Sequence, residues 1–163
     1  MCGIFLYKGQ KQDWDSLESD INRIGYRGPD NTHHEMIGND VLFAFHRLAI
    51  MGTTEMGDQP MKHPNDASLT LICNGEIYNY KDLAIKYGFN LVTGSDCEII
   101  LLLFKKFGIE KTVKELDGVF MFAIHEANTG LLFAGRDPMG VRPGFMGRDG
   151  VEIMIASEVK PMV

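Results

Sequence analysis

Residues 119–124 read Val119-Phe120-Met121-Phe122-Ala123-Ile124, a run that contains no polar or charged side chain. Such a short apolar run, rich in β-branched and aromatic residues, predicts a buried strand. A strand of an antiparallel sheet with one face in water alternates apolar and polar side chains, and this run does not. The sequence therefore predicts a sheet whose two faces are both covered.

Other segments supply that cover. Further strands are predicted at 4–8, 41–47, 69–74, 131–134 and 151–156, helices at 14–24, 81–87 and 98–107, turns at 26–30 and 135–140, and a polar loop at 52–66. A capping box at 95–98 is expected to begin the last helix, which Gly108 ends. Two stacked sheets between two helical layers would bury every apolar face.

Length and composition limit the classes of protein that need to be considered. A chain of 163 residues fits a single domain spanning 1–163, and its net charge of −6 argues against nucleic acid or an anionic membrane as a partner. The three cysteines have neither the spacing of a disulfide scaffold nor that of a zinc site. Without a signal peptide or an apolar run of about 18 residues, the chain is expected to be cytoplasmic.

Cys2 carries the most distinctive chemistry. Removal of Met1 by an aminopeptidase would place a thiol and a free α-amine on one residue. An ordinary α-amine titrates at about 7.7–8.0 and can act as a general base at neutral pH, directly or through one water. A buried, inert cysteine at the start of a strand is the alternative, and Cys2 taken alone favours it.

Asn74 and Gly75, at the end of a predicted strand, are candidates for an oxyanion hole. The Asn74 side-chain amide and the Gly75 backbone N–H are both donors, and glycine allows the backbone to approach a ligand closely. An Asn-Gly pair is also a common turn signal, which remains the alternative.

Two charged residues suit the ends of a free amino acid. Arg47 closes a strand whose same-face neighbours are apolar, and its guanidinium could hold an α-carboxylate bidentately. Asp96 lies in the predicted capping box, where the helix dipole would keep it ionised and able to bind an α-ammonium group. A structural salt bridge for Arg47 and a purely capping role for Asp96 are the alternatives.

The five histidines lack metal-ligand spacing, and no metal site is predicted.

Seven short motifs in register then resemble the class II glutamine amidotransferases. They are Met1-Cys2-Gly3-Ile4, Arg27-Gly28-Pro29-Asp30, His46-Arg47-Leu48-Ala49-Ile50, Asn74-Gly75-Glu76-Ile77-Tyr78-Asn79, Thr93-Gly94-Ser95-Asp96-Cys97-Glu98, Gly135-Arg136-Asp137 and Ala156-Ser157-Glu158. The branch that the chain resembles most is the glutaminase domain of glutamine-hydrolysing asparagine synthetases. The resemblance implies an α+β N-terminal-nucleophile hydrolase fold with four αββα layers, in which two mostly antiparallel sheets lie between helical layers.

The resemblance also implies a role for each matching residue. Cys2 would attack the side-chain amide of glutamine to form a γ-glutamyl thioester and release ammonia, with Asn74 and Gly75 as the oxyanion hole. The remaining substrate contacts would come from Arg47 at the carboxylate, Asp96 and Glu76 at the amino end, and the backbone around Ile50 and Met51.

The resemblance predicts partners as well. The chain lacks the family's ATP-dependent synthetase domain, so the ammonia is expected to pass to a synthetase domain or subunit, most simply one like asparagine synthetase. No cofactor is expected in the glutaminase domain itself; ATP and Mg would belong to that partner. Arg142-Pro143-Gly144-Phe145 departs from the usual Lys-Pro-Leu-Tyr of the synthetases and blurs the branch.

Two other functions fit the same residues. The chain could be a non-catalytic amidotransferase-like module that senses glutamine or regulates a partner. It could also be a glutaminase that feeds a sugar phosphate or a nucleotide precursor.

Overall fold

The computed structural model describes residues 1–10, 14–49 and 57–163. The strands within these ranges are β1 (Gly3–Lys8), β2 (Asn31–Ile37), β3 (Val41–Arg47), β4 (Met61–His63), β5 (Asp66–Ile77), β6 (Gly118–Glu126), β7 (Leu131–Arg136), β8 (Phe145–Asp149) and β9 (Glu152–Ala156). The helices are α1 (Trp14–Asn22), α2 (Tyr80–Tyr87), α3 (Glu98–Phe107) and α4 (Ile109–Glu115), with short 3-10 turns at Gly25–Arg27 and Lys160–Met162.

The strands form two antiparallel sheets. The first has the order β2-β3-β1-β9-β8 and the second the order β4-β5-β6-β7. The N-terminal strand β1 therefore lies at the centre of its sheet, between β3 and β9. Residues 4–7 of this strand are therefore buried, while Met1 remains 52% exposed.

Three apolar clusters separate four layers. One lies between α1 and the first sheet, one between the two sheets, and one between the second sheet and α2, α3 and α4. The helical layers thus cover the outer faces of the sheets, as the sequence predicted, and the αββα fold is confirmed.

Strand β6, which contains residues 119–124, shows why both of its faces are apolar. Phe120, Phe122 and Ile124 pack against the helices, while Met121 and Ala123 pack between the sheets. Burial of each large side chain contributes about 1.5–3 kcal/mol, so the helix-facing side holds most of this strand's hydrophobic stabilisation.

The sequence predictions missed four elements and misjudged several boundaries, including those of β5, which was predicted at 69–74. Strands β2 and β8 lie at sheet edges and expose most of their side chains, so they lack the apolar alternation of a half-buried strand. Helix α4 starts directly after Gly108, which was predicted to end the helical region. The loop predicted at 52–66 contains β4, and α1 ends at Asn22 rather than at residue 24.

The predicted capping box at 95–98 is wrong. The Glu98 carboxylate is fully buried and accepts hydrogen bonds from the backbone N–H groups of Val92 and Thr93 and from the Thr93 hydroxyl. The Ser95 hydroxyl accepts from the N–H of Cys97 instead of that of Glu98. The chain before α3 folds back over the start of the helix. The Glu98 carboxylate therefore accepts hydrogen bonds from N–H groups of that segment and not from those at the helix N-terminus.

Candidate active site

A cavity of about 220 Å³ opens at the end of the two sheets where β1 begins and β3 ends. Its volume is below the roughly 300–1,000 Å³ of sites for drug-sized ligands, which suits a small molecule. The lining residues are Met1, Cys2, Phe45, Arg47, Leu48, Gly57, Gln59, Cys73, Asn74, Gly75, Glu76, Ser95, Asp96, Cys97 and Arg142.

The register of the first sheet brings Cys2 next to Arg47. Gly3 of β1 stands opposite His46 of β3, so the residue before Gly3 meets the residue after His46. The Cys2 thiol lies 3.4 Å from the N–H of Leu48, which donates to it, and 3.6 Å from the carbonyl oxygen of the same residue. Burial raises the pKa of the Cys2 thiol above its ordinary value, although the Leu48 hydrogen bond lowers it. At neutral pH the thiol is therefore protonated and needs a base to become a nucleophile.

Arg27 fixes the backbone of the N-terminal segment. Its Nε donates to the carbonyl of Cys2 at 3.1 Å, and its Nη1 donates to Glu158 Oε1 at 3.0 Å. The neighbouring Gly28 packs so tightly that a Cβ there would overlap the backbone of His46. The segment predicted as a turn at 26–30 thus supports the backbone of Cys2.

Asn74 and Gly75 lie on β5 and face the same cavity as Cys2. The Asn74 side chain is only 2% exposed, and its Nδ2 has no hydrogen-bond partner among the described residues. A buried amide without a partner is uncommon because desolvation costs about 1–3 kcal/mol. Gly75 is required by packing, since a Cβ there would lie 2.5 Å from the Val119 carbonyl oxygen and 2.7 Å from Phe120 Cα.

Arg47 lies at the end of β3 and is buried apart from 8% of its surface. Its Nη1 forms an ion pair with Asp58, whose other carboxylate oxygen accepts from Asn31 Nδ2 at 3.2 Å. Asp30 supports the same strand end, because its N–H donates to the Arg47 carbonyl at 3.0 Å. Asp58 thus holds the guanidinium at the cavity, and Asp30 holds the backbone of the same residue.

Asp96 and Glu76 also line the cavity. Asp96 Oδ2 accepts the N–H of Ile77 at 2.6 Å, and Glu76 Oε1 accepts from Arg142 Nη2 at 3.0 Å. Burial raises the pKa of Asp96, although the Ile77 hydrogen bond lowers it. Desolvation therefore opposes the expected stabilisation of ionised Asp96 by a helix dipole. Asp96 precedes α3, and its carboxylate binds the N–H at the end of β5.

The cavity brings together most of the site residues predicted from the sequence. Cys2, Arg47, Asn74, Gly75, Glu76 and Asp96 all line it. Ile50 and Met51 lie outside the described residues. Within the described ranges, no group of three or more His, Cys, Asp or Glu side chains could hold a metal ion, and no helix is long and apolar enough to cross a membrane.

Sequence reasoning missed three residues around the cavity. Arg27 supports Cys2, Gln59 hydrogen-bonds both backbone groups of Cys73, and Arg142 pairs with Glu76. Arg142 was noted only as a departure from the synthetase pattern. Gln59 lies in a segment rich in glycine and proline, where no periodicity indicates which side chains are buried.

Comparison with known proteins places this geometry in a family. Residues 1–163 match the family model described as the glutamine amidotransferase domain. A probable glutamine-hydrolysing asparagine synthetase of Acanthamoeba polyphaga mimivirus is 42% identical over 170 residues, covering 99% of this chain and 30% of that protein. The glutamine-hydrolysing asparagine synthetase of Mus musculus is 40% identical over 167 residues, covering 100% and 29%.

A solved structure shows the same fold. The glutamine phosphoribosylpyrophosphate amidotransferase of B. subtilis, complexed with ADP and GMP, superposes with a TM-score of 0.80 at 21% identity, over 99% of this chain and 43% of that one. This chain spans less than a third of the length of the two synthetases. It belongs to the glutamine amidotransferase domain family.

Proposed function

We propose that the chain hydrolyses the side-chain amide of glutamine, with Cys2 as the nucleophile. The Asn74 amide carries this proposal, because its Nδ2 is a buried donor without a partner among the described residues in the cavity that also holds the Cys2 thiol. A buried donor without a partner lowers the stability of the free protein. It can then stabilise an oxyanion that forms during the reaction.

The charges around the cavity suit the two ends of glutamine. The Arg47 guanidinium would bind the α-carboxylate, while Asp96 and Glu76 would bind the α-ammonium group. The side chain of glutamine would then extend towards Cys2. The backbone around Ile50 and Met51 is part of the proposed substrate site.

The reaction would proceed through two steps. The Cys2 sulfur would add to the amide carbon, and the oxygen would accept hydrogen bonds from Asn74 Nδ2 and the Gly75 N–H. Collapse of this adduct breaks the C–N bond, and the nitrogen leaves as ammonia after taking up the thiol proton. Water would then attack the γ-glutamyl thioester, giving glutamate and restoring the thiol.

The base in this scheme would be the α-amine of Cys2 itself. Met1 lies at the cavity and is 52% exposed, so it is accessible to an aminopeptidase. With Met1 removed, an amine of ordinary pKa near 7.7–8.0 would serve a thiol whose pKa is raised by burial. Proton transfer to the amine is the step that the raised thiol pKa requires.

The ammonia would pass to a synthetase domain or subunit. The relatives are named glutamine-hydrolysing asparagine synthetases, and the chain matches less than a third of each. We propose that residues 1–163 act as one glutaminase domain, that the acceptor resembles asparagine synthetase, and that ATP and Mg are used in that partner alone. A cytoplasmic location fits the same proposal.

The test is ammonia release from glutamine by the chain whose mass shows that Met1 is absent. Cys2→Ser is expected to lower kcat by at least about 10⁴-fold, since a hydroxyl is a far weaker nucleophile than a thiol at this pH. A chain that retains Met1 is expected to be equally inactive, because its Cys2 nitrogen is an amide. Full activity in either protein would contradict the mechanism.

A further inference from the structure

We propose that Gln59 is a positioning residue for the oxyanion donors, a role that rests on the proposed glutamine hydrolysis. Gln59 is 4% exposed and lies at the cavity, and none of the proposed chemical steps uses it. Its side-chain amide forms two hydrogen bonds to Cys73, the residue before Asn74. The Cys73 N–H donates to Gln59 Oε1, and Gln59 Nε2 donates to the Cys73 carbonyl oxygen at 3.2 Å.

These two bonds replace a pair of backbone hydrogen bonds between neighbouring strands of the second sheet. In the β4–β5 pair, Met61 stands opposite Leu71 and Lys62 opposite Thr70. The same register would place Gln59 opposite Cys73, but the chain reaches Cys73 with its side chain. One side-chain amide therefore provides the donor and the acceptor that a neighbouring strand would provide.

The consequence concerns Gly75. In an antiparallel sheet the N–H groups of alternate residues point to the same side, so those of Cys73, Gly75 and Ile77 share one edge of β5. Phe120, which stands opposite Gly75, directs its N–H and carbonyl to Asp137 and thus away from β5. The shared edge of β5 therefore faces away from β6.

Two buried side chains satisfy the flanks of this edge. Gln59 accepts the N–H of Cys73, and Asp96 accepts that of Ile77 at 2.6 Å. The Gly75 N–H lies between them and faces the cavity. An oxyanion donor must lie within about 2.7–3.1 Å of the oxygen, and misplacement by 1 Å can cost about 10²-fold in rate. Gln59 thus holds the peptide immediately before both donors.

The main test replaces Gln59 with methionine, which is similar in length and makes neither bond. The matched control is Asn79→Leu, because the Asn79 amide also brackets a backbone segment, donating to the Glu115 carbonyl at 2.8 Å and accepting from the Asp117 N–H at 3.1 Å. Asn79 follows β5 and lies outside the cavity lining. Both substitutions remove two amide–backbone hydrogen bonds.

For Gln59→Met, we expect kcat for glutamine hydrolysis to fall about 10–100-fold, while KM stays within about threefold. Alkylation of Cys2 by iodoacetamide, followed by peptide mass spectrometry, needs no oxyanion hole and is expected to stay within about twofold of wild type. For Asn79→Leu, kcat, KM and the alkylation rate are expected to match wild type, even where the melting temperature falls.

A second variant and a second readout cover poor folding or inactivity. Gln59→Glu retains the acceptor for the Cys73 N–H and loses the donor to the Cys73 carbonyl, so its kcat is expected between wild type and Gln59→Met. Amide hydrogen exchange at Cys73 is expected to quicken at least about tenfold in Gln59→Met and not in Asn79→Leu.

Unchanged kcat in a folded Gln59→Met protein, or a kcat loss matched by the loss in alkylation rate, would overturn the positioning role. Unchanged exchange at Cys73 would also do so. If the processed wild-type chain hydrolyses no glutamine, the proposed function itself fails, and the role of Gln59 fails with it.

Discussion

The floor and the rim of the cavity are built from different kinds of interaction. We define the floor as Cys2, Asn74 and Gly75, and the rim as the Glu76–Arg142 ion pair. Floor groups are uncharged: Asn74 and Gly75 belong to β5, and the Cys2 thiol accepts a hydrogen bond from the Leu48 N–H. The rim is charged and more open to water, with side-chain exposures of 44% for Glu76 and 15% for Arg142.

This difference predicts separate effects on catalysis and on substrate binding. A preorganised neutral donor in a desolvated site stabilises charge that develops during the reaction, an effect of about 2.7–4 kcal/mol. An ion pair that is partly exposed contributes about 0–1 kcal/mol and is screened by salt. The floor should therefore control kcat and the rim should mainly influence KM.

Removal of the floor donor tests the first half of this comparison. Asn74→Ala is expected to lower kcat for glutamine hydrolysis by about 10²–10³-fold and to leave KM within a few-fold, because the amide acts mainly in the transition state. Steady-state ammonia release measures both constants, with iodoacetamide alkylation of Cys2 as the control for an intact nucleophile. A loss in kcat below about threefold would contradict the assignment.

The proposed contact of Asp96 with the α-ammonium group should add a pH dependence to substrate binding. Only its ionised form attracts an α-ammonium group, and burial raises its pKa above the ordinary value of 3.8. As pH falls, log kcat/KM is expected to decrease with a slope of one as the Cys2 amine takes up a proton. The slope should approach two once Asp96 is protonated, about a further tenfold for each pH unit.

Asp96→Asn distinguishes the two protons. The variant should have a lower kcat/KM at pH 8 and should retain a slope of one throughout the acidic range. The measurement is kcat/KM from pH 8 to pH 4, with circular dichroism at each pH as the control for folding. A slope of two in the variant would assign the second proton to another group.

The rim should have the smallest effect. Arg142→Met and Glu76→Gln are each expected to change KM for glutamine by less than about fivefold, since their ion pair lies partly in water. Expressed as free energies, the change in KM of the double variant should be smaller than the sum of the changes in the two single variants. Each single variant already breaks the ion pair. Repeating the assay in 0.5 M NaCl should reduce the difference between wild type and the variants.

The core of the fold could be predicted from local patterns. Strand β3 lies at 41–47 as expected, and its odd-numbered apolar residues face the second sheet while Leu42 and Ala44 face α1. These predictions succeed because successive side chains of a strand point to opposite faces of the sheet, and both faces of β3 are buried. The polar strand β2 carries no such signal, because its partners are backbone groups of β3 and its side chains face water.

The site was only partly predictable. Cys2, Arg47 and Asn74 could be nominated because their side chains have distinctive chemistry. Gln59 could not, since an amide in a glycine- and proline-rich segment becomes informative only when a free strand edge lies opposite it. Glu98 gave a misleading signal for a related reason. Its carboxylate satisfies Val92 and Thr93, and a local capping rule cannot describe a chain that folds back.

The sequence by itself determined the layers of this protein and gave Cys2 as the candidate nucleophile. The apolar character of every residue from 119 to 124 indicates a strand with two buried faces, and a thiol at position 2 is a property of the chain alone. Tertiary structure decided which groups Cys2 meets. The register of β1 with β3 brings it to Arg47, and the stacking of the second sheet brings it to Asn74 and Gly75. Distances between segments far apart in sequence arise from packing, and no local pattern encodes them.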